Sequence, residues 1–128
     1  TTMVIRGAPA IGVAAAMGIA LGTRRSTATG TQKFAAEFAK LCDLMAATRP
    51  TAVNLFWAID RMKRCFAAGA SAGESVEQLK ARLDREADLI HDEDVASCRA
   101  MGAFGASVVP DEASILTHCN AGALATAG

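Results

Sequence analysis

The sequence carries no excess charge: 13 Lys+Arg face 13 Asp+Glu over 128 residues, with two His. A net charge of zero supplies no long-range attraction to nucleic acid or to an anionic bilayer, so neither is expected as a partner. The chain also lacks an apolar run of the ~18–20 residues that span a membrane. Residues 4–21 come nearest, but Arg6, Pro9 and several Gly interrupt them. The Cys at 42, 65, 98 and 119 show no CxxC spacing, which argues against a zinc site or a thioredoxin-type pair. No secretory signal is visible, so a reduced, cytoplasmic compartment is the expectation. Internal repeats are absent, and so is an initiator Met. The chain opens on Thr1-Thr2 and stops at Ala127-Gly128, just inside a Gly/Ala-rich stretch, which predicts a piece of a longer protein.

Apolar residues are plentiful, at 52% before any Gly is counted, and the excess is mostly Ala. That excludes disorder as the main state and predicts helices packed close together. Pro9 stands where a first helical residue often stands, and residues 10–21 read as a helix small all round, suited to burial. Arg24 and Arg25 read as solvated surface in the polar loop that follows. Residues 32–47 repeat as a helix, with Phe34, Phe38, Leu41 and Met45 on one face. Thr51 is a reasonable N-cap for a third helix to about Ala68, its apolar face drawn through Val53, Phe56 or Trp57, Ile59 and Met62. Ser75 and Gln78 have capping-box spacing and open a long charged helix. Its buried stripe is Leu79, Leu83, Ala87 and Ile90, with a continuation through Val95, Cys98 and Met101 to about Phe104. Residues 114–118 read as a short buried strand, and a new helix is expected from Ala123. A strand, a tight Gly turn and a helix start are how an α/β unit begins. The fold class is therefore a mainly α-helical N-terminal domain, residues 1–110, followed by the first strand of a truncated Rossmann-like α/β domain, residues 111–128.

Three segments are unlike helix filler. In Arg6-Gly7-Ala8-Pro9-Ala10-Ile11-Gly12, Gly7 and Ala8 place backbone N–H groups at a helix start. There the helix dipole favours an anion, and Arg6 adds a full charge. A plain tight turn with Arg6 in solvent explains the same residues. No Gly-Lys-Ser/Thr follows, so the segment is not a P-loop. In Thr48-Arg49-Pro50-Thr51-Ala52-Val53-Asn54-Leu55, Arg49 lies on a constrained turn before a helix, where a guanidinium can hold two phosphate oxygens. A solvated helix-end Arg is the competing account. In Thr117-His118-Cys119-Asn120-Ala121-Gly122, Cys119 falls at the carboxyl end of the expected strand, where α/β domains place ligands. A helix start there would lower its thiol pKa. Cys42, Cys65 and Cys98 fall within amphipathic helices and read as small buried hydrophobes, and the Met residues read as core. His118 reads as a core or supporting residue and His91 as surface.

These three segments, in this order, closely resemble the methylthioribose-1-phosphate isomerase family, which groups with the alpha, beta and delta subunits of the exchange factor for eukaryotic initiation factor two. The stretch around Cys119 carries the more specific part of the likeness. The resemblance implies an aldose–ketose isomerase of methionine salvage, converting 5-methylthioribose 1-phosphate to 5-methylthioribulose 1-phosphate with no metal and no cofactor. It implies Cys119 as the catalytic Cys, and phosphate and sugar contacts from Arg6, Gly7, Ala8 and Arg49. The family's partner Asp belongs to its second domain, and none of Asp43, Asp60, Asp84, Asp88, Asp92, Asp94 or Asp111 stands in a matching motif. The 128 residues alone are therefore expected to be inactive, and the whole protein to be a homodimer acting on a small-molecule sugar phosphate. Two other readings stay open: a ribose-1,5-bisphosphate isomerase, and a non-catalytic regulatory subunit of the initiation-factor exchange factor.

Overall fold

The structure, a computed structural model, describes residues 4–49, 53–118 and 121–128. Four helices follow one another: α1 (Ala8–Arg24), α2 (Thr31–Ala46), α3 (Val53–Ser71) and α4 (Val76–Ala106). A single 3-10 turn, Gly122–Leu124, comes after them, and no strand forms among the described residues. This agrees with the helical domain expected from the sequence, whose first helix is longer than predicted at both ends.

α1 is the central element and packs against the other three. Its sequence explains why. Val13, Ala15, Ala16, Ile19 and Ala20 are all buried, so the helix is apolar around most of its circumference, and such a helix is stable only inside. Gly12 lets α3 come close: a Cβ there would lie 2.8 Å from the Asn54 carbonyl oxygen. α2 lays Phe34, Phe38 and Cys42 inward, and Phe38 stacks on Phe66 of α3 with centroids 4.5 Å apart. Leu41 and Met45 are only half-buried. The predicted face of α3 is rotated from the real one. Leu55, Ala58, Ile59 and Met62 are buried, whereas Val53 is 83% exposed and Phe56 and Trp57 remain largely exposed. Two apolar stripes compete on this helix, and the one facing α1 wins.

The capping box at the start of α4 forms as the spacing predicts, with the Gln78 N–H donating to Ser75 Oγ and the Ser75 N–H to Gln78 Oε1. Leu79, Leu83, Ala87 and Ile90 are the buried stripe. Arg61 of α3 pairs with Glu86 and Glu93 of α4, and Arg82 pairs with Glu74. Beyond Ile90 the stripe stops being core: Met101 and Phe104 are exposed. At 1.5 Å per residue α4 is about 45 Å long and α1 about 25 Å, so α4 outruns the bundle. Met17 is likewise exposed rather than core, and Met3 and the Thr51 cap lie outside the described residues.

Residues 114–118 differ from the expected buried strand. They are irregular and exposed, with Leu116 at 99% and His118 also in solvent. A strand needs a neighbour to accept and donate its backbone bonds, and none lies beside these residues among those described. The helix expected from Ala123 is limited to the 3-10 turn, after which Ala125 to Ala127 pack back onto the bundle.

Candidate functional site

Two helix starts lie side by side at one end of the bundle. Gly12, in the second turn of α1, is in backbone-level contact with Asn54, the second residue of α3. Each start is preceded by an arginine. Arg6 lies two residues before Ala8, on exposed extended chain, and Arg49 lies four residues before Val53, half-buried, just past the end of α2. The intervening residues 50–52 are outside the described residues. The topology thus brings the two arginine segments to neighbouring helix openings.

The start of α1 is more occupied than the sequence suggests. Gly7 is the N-cap, in extended conformation (φ −79°, ψ 141°), with no side chain to satisfy the first turn. Pro9 has no N–H to offer. The Ala10 N–H donates to the Ala125 carbonyl at 3.1 Å, and the Ile11 N–H to Gly7 at 2.9 Å. Among the described residues, the Gly7 and Ala8 amides donate to no backbone carbonyl. The anion-binding capacity of this helix start therefore narrows to the two residues singled out from the sequence.

Closure from the far end of the chain is what sequence reading missed. Ala125 is buried, and a Cβ on Gly7 would fall 2.1 Å from the Ala125 Cα, so only glycine permits this approach. The Ala127 N–H donates to Asp94 Oδ2 at 2.7 Å. Residues 125–127 are thereby pinned to both α1 and α4. Cys119 and Asn120 lie outside the described residues, and the chain resumes at Ala121.

A cleft of about 440 Å³ opens next to these helix starts, lined by Pro9, Asn54, Trp57, Ile90, Glu93 and Asp94 among others. The Arg61 guanidinium lies 5.5 Å from the Trp57 ring centre, within cation–π range. Hydrogen bonding to Glu93 holds the Arg61 pKa above its usual value, and the same contact holds Glu93 below the usual carboxylate range. Glu93 therefore stays charged at the cleft wall. Trp57 and Asp94 carried no sequence signal, because both fall inside regular helical patterns.

The other thiols are poor candidates for chemistry. Burial pushes Cys42 up to about 11, and burial is also the main cause that raises Cys65. Neither is a thiolate near neutral pH. Among the described residues no cluster of three His, Cys, Asp or Glu could hold a metal, and no helix is long and apolar enough to cross a membrane.

Comparisons with known proteins place this scaffold. The sequence model of the Initiation factor 2 subunit family matches residues 4–127. Methylthioribose-1-phosphate isomerase of Geobacter metallireducens is 55% identical over 126 residues, which are 98% of this chain and 36% of that protein. The enzyme of the same name from Geobacter sulfurreducens is 56% identical over the same shares. Among solved structures, 5-methylthioribose 1-phosphate isomerase from Pyrococcus horikoshii superposes with a TM-score of 0.88 at 46% identity, over 98% of this chain and 34% of the other. The delta subunit of translation initiation factor eIF-2B from A. fulgidus gives 0.82 at 43% identity, over 96% and 35%. The chain thus spans about a third of the length of the relatives it matches. By sequence model, by identity and by shared architecture, it belongs to the Initiation factor 2 subunit family.

Proposed function

We propose that these residues are the N-terminal helical part of an aldose–ketose isomerase that converts 5-methylthioribose 1-phosphate to 5-methylthioribulose 1-phosphate in methionine salvage. Identity of 55% with enzymes of that name supports the substrate class. The observation that carries the reading is the pairing of helix starts: each follows an arginine, and the chain just after Cys119 closes on one of them at Gly7. In this reading Arg6, Arg49 and the Gly7 and Ala8 amides hold the phosphate, where two full charges and a helix dipole act together. The phosphate on the anomeric oxygen locks the sugar ring, so the ring must be opened by a proton on its oxygen before hydrogen moves between C1 and C2. The proton comes from a carboxylic acid in the rest of the protein, and Cys119 assists the hydrogen transfer. The residues from 111 open a Rossmann-like domain whose further strands pair with 114–118. The protein is a cytoplasmic homodimer with no bound metal or cofactor.

The test is turnover in the full-length protein. Cys119→Ala is expected to lower kcat by at least 100-fold, and Cys65→Ala by less than threefold; equal effects would remove the special role of Cys119. The 43% identity with an eIF-2B delta subunit favours one second reading, a binding subunit without turnover. A full-length protein that binds the sugar phosphate and never converts it would establish that reading instead.

A further inference from the structure

Resting on the reading of Cys119 as the reacting thiol, we propose that Asp94 is a positioning residue: it ties the chain that follows Cys119 across the start of α1 and so fixes the thiol relative to the phosphate site. Residues 125–128 are Ala, Thr, Ala and Gly, which carry little apolar surface with which to dock themselves. The Thr126 hydroxyl bonds only within the segment, to the Gly122 and Gly128 carbonyls. Two hydrogen bonds therefore join this strap to the helices. One is backbone to backbone, from Ala10 to Ala125, and the other is the 2.7 Å bond from the Ala127 N–H to Asp94. The second has an ionisable carboxylate as acceptor and is partly shielded from water, which makes it the stronger of the two. Asp94 also lines the cleft beside Pro9 and Asn54, so the tie is anchored where the two helix starts meet. A displacement of about 1 Å at a reacting group can cost on the order of 100-fold in rate, so a single anchor on a weakly docked strap has kinetic weight.

The experiment uses the full-length protein with three variants. Asp94→Ala removes the acceptor while keeping a residue that favours helix; Asp94→Asn keeps a carbonyl acceptor at the same reach; Cys119→Ala calibrates the chemistry. Asp94→Ala is expected to lower kcat for 5-methylthioribose 1-phosphate by 10- to 100-fold with KM within about threefold, at unchanged melting temperature. Asp94→Asn is expected to keep at least half of kcat. Alkylation of Cys119 by iodoacetamide, followed by peptide mass, gives a readout without turnover: substrate shielding of the thiol should weaken in Asp94→Ala and persist in Asp94→Asn. A wild-type kcat and wild-type shielding in Asp94→Ala overturn the proposal, and so does an equal loss in Ala and Asn variants. Should Asp94→Ala fail to fold, Gly7→Ala displaces the same strap from its other side, and undiminished shielding there overturns it too. If Cys119→Ala keeps its activity, the isomerase reading itself fails, whatever Asp94 does.

Discussion

Arg6 and Arg49 do their proposed work as charges held before helix starts, and each can be removed without touching the core, since Arg6 is exposed and Arg49 half-buried. Losing a charge-assisted contact costs about 1.5–3 kcal/mol. Arg49→Ala is therefore expected to raise KM for the sugar phosphate by roughly 10- to 100-fold and to leave the melting temperature within a degree or two; an unchanged KM refutes the assignment. Cys42 supplies a pH test at the same scale. Its folded pKa of about 11 lies above the ordinary thiol value of about 9, so its contribution is intact below pH 9 and is lost as pH rises through 11. Urea midpoints between pH 8 and 11 are expected to fall less in Cys42→Ala than in the parent protein. Arginines, glycines and the reactive thiol were legible in the sequence because their residue types are unusual where they stand. Asp94 and Trp57 were not, because an Asp in an acidic helix and a Trp in an apolar one look like ordinary surface and core.

At the scale of elements, local rules read well where a single pattern dominates. The capping box of α4 and the stripe Leu79, Leu83, Ala87 and Ile90 are both formed as the spacing predicts. Ser75→Ala is expected to cost about 1 kcal/mol, measured by urea unfolding, with no change in activity. α3 was misread because two apolar stripes share one helix, and only the position of α1 decides between them. The exposed segment 114–118 was misread as buried because a strand's burial depends on partners that its own sequence does not contain. The close crossing of α1 and α3 gives a sharper element-scale test. Gly12→Ala puts a methyl 2.8 Å from the Asn54 carbonyl, which belongs to rigid backbone. The helix starts must then part, and both stability and phosphate binding are expected to fall together; a loss of one without the other would separate the packing from the site.

The whole molecule is larger than the part described: these residues correspond to about a third of the relatives they match. The four-helix unit brings the phosphate-binding helix starts and the thiol, and the ring-opening acid is assigned to the rest of the protein. Residues 1–128 by themselves are thus expected to show no turnover, while the full-length protein is active; activity of the isolated piece would move the acid into it. The most direct measurement is the alkylation of Cys119 in the full-length protein, with and without 5-methylthioribose 1-phosphate. The account predicts that Cys119 reacts ahead of Cys42 and Cys65, that the sugar phosphate slows it at least tenfold, and that Arg49→Ala abolishes the protection at the same ligand concentration. A Cys119 rate indifferent to a bound sugar phosphate would contradict the placement of the thiol beside the phosphate site.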